Sequence, residues 1–271
     1  MAGPGVDTVK LMACAGRSLP LILALWLAAP LAAQTAPPPP AASRIVIPDG
    51  EQLSYRASWR LWPAGRASLQ FTDAGASDKI VFSAVSTGVA AILYPVHDRI
   101  ESDYDPLSFC AQSVRKNTSE GRRKRHTEIH YFPRQNRLVL DETNLDGPHP
   151  VAKHDSKAIP GCVLDLFSAL YYVRTLPLRV GEVYNFPVNE GGDTVEVQLN
   201  ADLKETVTTP AGTFAAIRTE PRVFNNAVFH RRGQMWIWFS DDKRHLPVMV
   251  KAKVSWGTIT AVLTGDMTAG R

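Results

Sequence analysis

Two histidines and a glutamate alternate along a short stretch in the middle of the chain, His126-Thr127-Glu128-Ile129-His130. Alternate residues of a β-strand share a face, and two imidazoles with a carboxylate form a donor set that transition metals accept. The four basic residues directly upstream repel a cation. We therefore expect a solvated polar strand face here, and no bound metal or other cofactor.

Asp241 and Asp242 form a second group with chemical potential, because adjacent carboxylates can shift each other's pKa toward acid–base use. The pair lies between two strand patterns and is followed by Lys243-Arg244, which is typical of a charged hairpin turn. The sequence has no nucleophile elbow, phosphate-binding loop or dinucleotide fingerprint. A hydrolase of envelope glycan or lipid that uses Asp241, Asp242 or the histidines is the alternative function.

The sharpest local charge is the run Arg122-Arg123-Lys124-Arg125. Such a run can bind the phosphates of nucleic acid or of lipid headgroups, or can be a solvated hairpin tip. A formal net charge of only +4 over 271 residues argues against nucleic acid. We expect contact with an anionic membrane surface.

Several aromatic residues recur at strand spacing and are candidates for an apolar binding face. An apolar cavity with few polar groups is the usual form of a lipid or small-ligand site, although aromatic residues also simply fill cores. Trp236 and Trp238 share one strand face, with Ile237 on the other. The candidate ligand-binding residues are Tyr55, Trp59, Phe71, Trp236 and Trp238.

The N-terminus has the composition of a secretory signal peptide. Lys10 and Arg17 precede an apolar run over residues 21–29, which is shorter than the ~20 residues that span a membrane. We place the signal peptide at residues 1–33 and a proline-rich linker at 34–49. A single β-rich domain over 50–266 and a C-terminal tail over 267–271 follow, and export implies a periplasmic protein.

Export also sets the chemistry expected of the cysteines. Cys110 and Cys162 follow the signal peptide and neither has a CxxC neighbour. Disulfides persist outside the cytoplasm, so a single bridge between the two is expected. Two buried free thiols are the alternative, because the sequence does not show whether the side chains meet.

Alternating apolar and polar residues predict the elements that must position these groups. A hydrophobic fraction of 45% excludes a disordered chain. A turn is predicted at residues 62–65 and another at 209–212. Strands are predicted at residues 53–61, 67–71, 80–84, 99–104, 109–116, 125–132, 137–141, 183–188, 194–203, 213–223, 234–240, 248–254 and 259–263.

One segment has helical spacing instead. Val163, Leu166, Phe167, Leu170 and Tyr171 recur at intervals of three and four, which predicts an amphipathic helix over residues 163–174. A shorter helical turn is predicted at residues 89–93. The fold class expected is mainly β, with an antiparallel curved sheet in the form of a half-barrel or barrel, and with one amphipathic helix packed against it.

Four segments in this order resemble the exported bacterial family of unknown function DUF3108. They are Gly50–Tyr55 with Trp59 and Gly65, the helix Asp165–Tyr171, the turn Thr209–Phe214, and Trp238–Asp242 with Leu246–Val248. The resemblance implies a β-rich bacterial envelope protein with no established activity and no catalytic residues. More loosely, the pattern is similar to the half-barrels of periplasmic lipoprotein carriers and lipid-sensing regulators, but fold alone does not fix function.

These observations together favour a binding protein over an enzyme. We expect a non-catalytic periplasmic protein that binds a hydrophobic or amphiphilic envelope molecule, such as a lipid, lipoprotein or glycolipid, or that assists envelope assembly. Neither a protein partner nor the oligomeric state can be identified from the sequence.

Overall fold

The computed structural model describes residues 47–223, 234–254 and 257–267. The expected signal peptide, most of the proline-rich linker and residues 268–271 of the tail lie outside these ranges. They therefore remain predictions.

Strands dominate the described residues, with two α-helices and one 3-10 turn among them. In chain order the elements are β1 Gln52–Trp59, β2 Trp62–Asp73, β3 Asp78–Ser86, α1 Val89–Leu93, β4 His97–Tyr104, β5 Ala111–Glu120, β6 Arg123–Phe132, the 3-10 turn Pro133–Gln135, β7 Arg137–Asn144, β8 Val151–Ala158, α2 Leu166–Thr175, β9 Val183–Glu190, β10 Asp193–Thr209, β11 Gly212–Val223, β12 Gln234–Ser240, β13 Pro247–Val254 and β14 Gly257–Met267.

All fourteen described strands join one antiparallel sheet. Strands β1–β8 and β9–β14 each run as a meander, and β1 pairs with β14, so the edges of the sheet are β8 and β9. The sheet curves without closing, and side chains near its two edges meet: Lys157 binds Asp193 at 2.7 Å, and the Tyr131 hydroxyl donates to Asn189 at 3.1 Å. The prediction of a mainly β fold with a curved antiparallel sheet is confirmed.

A short segment, residues 159–165, crosses the gap between the two edges. The Leu164 amide donates a hydrogen bond to the carbonyl oxygen of Pro187 at 3.0 Å, and the Val163 carbonyl oxygen accepts one from the Ala111 amide at 2.8 Å. Cys162 of this segment forms a disulfide with Cys110, just before β5, with the Cα atoms 5.2 Å apart. The segment therefore links the two halves of the sheet and leads directly into α2.

Helix α2 fills the inner side of the curved sheet. Phe167 and Tyr171 pack into one buried cluster, with residues of β1–β4 and of β10–β14, while Ala169 and Val173 pack into another, with β9–β12. Asp165 is the N-cap and forms a capping box with Ser168, which satisfies backbone N–H groups of the first turn. The helix predicted from residue 163 thus begins at Leu166, because Asp165 caps it.

The C-terminal end of α2 is held by a buried ion pair. The carboxylate of Glu51, directly before β1, accepts from both terminal nitrogens of the Arg174 guanidinium, at 2.6 and 2.9 Å. The side chains are 0% and 1% exposed. A bidentate pair in this setting satisfies both charges, so it fixes where the helix ends relative to β1.

One prediction about local structure is wrong. The turn predicted at residues 62–65 lies instead at Arg60 and Leu61, and β2 already begins at Trp62. Arg60 adopts a positive φ of 54°, which makes the tight reversal, and the bulge between Ala57 and Ser58 offsets the two strands.

Strand β8 is an element that the alternation pattern does not reveal. Its residues are mostly exposed and include Lys153, His154, Asp155 and Lys157. As an edge strand it packs no continuous apolar face, and charged side chains are a common protection of such edges. The alternation of apolar and polar residues, from which the other strands were predicted, is therefore absent in β8.

Replacing Arg174 by Ala should destabilise the fold by about 3–5 kcal/mol, because it leaves the buried Glu51 carboxylate without its counter-charge. The control is Arg218→Ala, which breaks a bidentate pair with Asp202 that is about one-third exposed and should cost about 0–1 kcal/mol. Urea unfolding would measure both.

The double variant Glu51→Leu/Arg174→Met removes both charges and should recover most of the lost stability. Equal destabilisation by Arg174→Ala and Arg218→Ala would contradict the anchoring role of the pair, and so would a double variant as unstable as Arg174→Ala.

Candidate functional site

Tyr55 and Phe71, two of the aromatic candidates, lie in the core beneath α2. The Phe71 ring stacks on Tyr171 of the helix with centroids 5.7 Å apart. The Tyr55 hydroxyl donates to the carbonyl of Pro247 at 2.9 Å. Both side chains are buried, so they help to hold the helix and do not line an open cavity.

Trp238 is buried in the same cluster as Tyr55 and Phe71, and Trp236 packs against that cluster, although strand pairing puts both tryptophans on the other face of the ladder. Tyr55 is paired with Leu263, whereas Trp238 is paired with Met249, which in turn faces Val262. Cross-strand partners share a face, and the neighbours Val262 and Leu263 point to opposite faces. Tyr55, Phe71 and Trp238 thus share one buried cluster while Trp59 is exposed, and a role of the five aromatic candidates in ligand binding stays a prediction.

The cavity between α2, β5 and β6 is small. Its volume is about 30 Å³, which is room for about one water molecule and not for an acyl chain. It is lined by Ile100, Val114, Lys116, Tyr131, Asp165, Leu166, Phe167, Asn189 and Glu190.

Exposed apolar side chains concentrate instead at one end of the strands. We call this end the rim: residues 59–62, 89–95, 120–124, 144–151 and 257–259. Ten of the sixteen exposed large apolar side chains of the described residues lie there, including Leu61 at 94% exposure and Ile92 at 82%. The ten are Trp59, Leu61, Trp62, Val89, Ile92, Leu93, Tyr94, Leu145, Val151 and Ile259.

The rim is also basic. Arg122, Arg123 and Lys124 are exposed at the tip of the β5–β6 hairpin, and the Arg60 guanidinium lies 5.3 Å from the ring centroid of Trp59. Arg125, the fourth residue of the predicted basic run, instead binds Glu142 at 2.9 Å. The described acidic residues of the rim are Glu120 and Asp146, so positive charge is in excess.

Contacts between neighbouring loops fix the rim in place. Gly121 has a positive φ of 62° and lies against the Tyr94 ring, where a Cβ would approach to 2.8 Å. The Gly121 amide donates to Pro95 at 2.7 Å, and the Leu145 amide donates to Lys124 at 2.8 Å. The apolar loop around α1 and the basic hairpin tip therefore form one continuous surface.

The histidine row lies on the outer face of β6 and is partnered by its neighbours. Glu128 accepts from Arg115 at 2.8 Å, and His126 Nδ1 lies 2.7 Å from the side-chain oxygen of Asn117. No group of three potential metal ligands occurs among the residues that the structure describes. The row thus belongs to a network of surface charges.

Asp241 and Asp242 lie in the turn between β12 and β13. Asp242 accepts from the Ser240 hydroxyl at 2.9 Å and from the Arg244 amide at 2.8 Å, while Asp241 pairs with Lys204. Hydrogen bonds of this kind define a tight turn.

Sequence reasoning found the basic part of the rim and Trp59 but missed the other apolar members. Two features of the sequence could have revealed the exposed apolar residues. One is the presence of two tryptophans and a leucine at a hairpin tip, Trp59-Arg60-Leu61-Trp62, and the other is the helical turn Val89–Leu93, which has no polar face. A short surface helix without polar residues necessarily exposes apolar side chains to water.

The fold and the rim define a non-closed, β-barrel-like protein that carries an amphipathic surface at one end of its strands. The chain belongs to DUF3108, a protein family of unknown function, whose family model matches residues 54–264. The resemblance found in the sequence is therefore confirmed. No curated protein matches the chain.

Two solved structures are similar to it. One is a β-barrel-like protein of the domain of unknown function DUF1849 from Brucella abortus, with 7% identity and a TM-score of 0.56, covering 83% of this chain and 100% of that one. The other, assigned as an exported protein with a YmcC-like fold, is from Bacteroides fragilis, with 11% identity, a TM-score of 0.35, and coverage of 81% and 96%. The first supports the fold alone, and the second score is too low to carry an argument.

Among the described helices, none has both the length and the apolar character needed to cross a membrane.

The pKa of Asp165 gives a test of how the helix start is buried. Burial raises this pKa, although hydrogen bonds from Ser102 and from the first turn of α2 oppose the rise. The folded protein therefore binds this proton more tightly than the unfolded chain does, and the stabilisation is largest below the unfolded pKa of about 3.9.

Asp165→Asn keeps the cap but removes the titration. Relative to this variant, the wild type should gain stability as the pH falls from about 7 to about 4, as measured by denaturant unfolding at each pH. A wild type that loses stability relative to the variant over the same range would show that the pKa is lowered.

Proposed function

We propose that the protein is a non-catalytic periplasmic protein that binds an amphiphilic, anionic molecule of the cell envelope at its rim. The observation that carries the proposal is the concentration of exposed apolar side chains beside exposed cations on one end of the sheet. Monomeric proteins rarely expose contiguous apolar surface of this kind unless it contacts a partner or a membrane.

The composition of the rim favours a lipid surface over a purely apolar ligand. Tryptophan and tyrosine are the residues enriched at the boundary between headgroups and acyl chains, and Trp59, Trp62 and Tyr94 are all at least partly exposed there. Arg122, Arg123 and Lys124 add the charge that attracts anionic headgroups. Surface-bound segments combine apolar burial with such attraction.

A carrier with an enclosed ligand has less support. Helix α2 occupies the inner side of the sheet, and the cavity beside it has a volume of only about 30 Å³. A larger cavity of about 470 Å³, next to the disulfide and the turn Pro133–Gln135, is open to solvent at the end of the strands away from the rim. The hydrolase alternative also has less support, because Asp242 is hydrogen-bonded within its turn and Asp241 pairs with Lys204 of β10.

Periplasmic location rests on the N-terminal sequence. The charged and apolar segments of residues 1–33 have the pattern of a cleaved export signal. The disulfide between Cys110 and Cys162 is consistent with an oxidising compartment.

The triple variant Arg122→Gln/Arg123→Gln/Lys124→Gln should weaken binding to vesicles that contain phosphatidylglycerol on the order of 100-fold, because each cation near an anionic surface contributes about 1 kcal/mol. Vesicle co-sedimentation would measure this. Binding by the wild type should weaken as salt is added and be poor with phosphatidylcholine alone.

The matched control is Arg134→Gln/Arg179→Gln/Lys243→Gln, which removes the same charge from exposed positions at the other end of the strands. It should bind nearly as the wild type does. If the two triple variants bind alike, the rim is not the binding surface and the proposal fails.

A further inference from the structure

Two arginines face each other on the outer side of the sheet. Arg56 in β1 is the direct cross-strand partner of Arg66 in β2, and both side chains are exposed. Like charges directly opposite each other on a strand pair destabilise a sheet. Neither arginine makes an ion pair with a carboxylate of the described residues, so the repulsion is uncompensated within this part of the chain.

The surrounding face contains further cations and is poor in acids. Lys251 and Lys253 in β13 are exposed on the same face. Their strand lies two strand spacings, roughly 10 Å, from β1, and they are displaced from Arg56 toward the rim by roughly 7 and 13 Å along the strand. The carboxylates of β13, β14, β1 and β2 are Asp73 and Asp266, both at the ends of their strands away from the rim.

The arginine pair lies behind the rim and not on it. Arg56 is five residues from Leu61 at the tip, a distance of roughly 15 Å along a strand. An apolar surface that enters a membrane interface is buried by about 5–10 Å. If the rim is seated at this depth, the arginines lie outside the plane of simple phospholipid phosphates.

We propose that Arg56 and Arg66 form a site for a phosphate group on the sugar headgroup of a glycolipid whose acyl region contacts the rim. This inference rests on the proposed function and names the class of amphiphile. Planar guanidinium groups match phosphate in geometry and charge. A bound phosphate would also neutralise the repulsion between the two arginines, and Lys251 and Lys253 extend the positive field around it.

The test compares Arg56→Gln/Arg66→Gln with the wild type on three vesicle preparations. These contain a bisphosphorylated disaccharide lipid, the same lipid without its phosphates, or phosphatidylglycerol. The variant should lose about tenfold to hundredfold in affinity for the phosphorylated glycolipid, and should bind the other two nearly as the wild type does. Its thermal midpoint should be no lower than that of the wild type.

The matched control is Arg99→Gln/Arg115→Gln, because these outer-face arginines already bind Glu101 and Glu128. It should leave binding to the phosphorylated glycolipid unchanged. A soluble phosphorylated disaccharide should compete weakly with the glycolipid, since it lacks the acyl chains that contact the rim. Competition as strong as that of the glycolipid itself would assign the site to a free sugar phosphate and overturn the inference.

Unchanged affinity of Arg56→Gln/Arg66→Gln for the phosphorylated glycolipid would also overturn it, as would an equal loss on the dephosphorylated lipid. The proposed function fails by a different result, namely that the rim triple variant binds phosphatidylglycerol vesicles like the wild type.

Discussion

The bidentate pair between Glu51 and Arg174 is the interaction on which the rest of the structure depends. It joins residues 123 positions apart in a site that excludes water, where a lone charge would be too costly to keep. At the other end of α2, Asp165 accepts from Ser102 of β4 at 2.7 Å. With both ends held to the sheet, the helix fills the space that a lipid carrier of this shape would leave open, and binding is left to the surface.

The strands and the long helix could be predicted because their apolar residues repeat with the periods of the elements they form. The positions of the side chains relative to the whole sheet could not. Trp236 and Tyr55 each lie on an apolar-looking strand, but only the pairing through β13 and β14 shows that they face opposite ways. Strand β8 was missed because a charged edge strand has no apolar period, and the rim was missed in part because it is assembled from loops distant in sequence.

The rim combines rigidity with exposure. Its loops are bonded to one another through backbone groups of Gly121, Pro95, Lys124 and Leu145, so its apolar and basic residues keep a fixed arrangement without a ligand. A surface organised in advance loses less entropy on binding. The uncompensated arginine pair behind it extends the same positive surface away from the tips, which suits an amphiphile with a large charged headgroup.

The central claim is that an amphiphile contacts the rim while α2 stays in place, and hydrogen–deuterium exchange with and without anionic vesicles tests it most directly. The account predicts slower exchange at residues 59–62, 89–95 and 120–124 on binding, with exchange in residues 166–175 unchanged. Faster exchange in residues 166–175 with no protection at the rim would show that the lipid enters the sheet by displacing the helix, and would contradict the account.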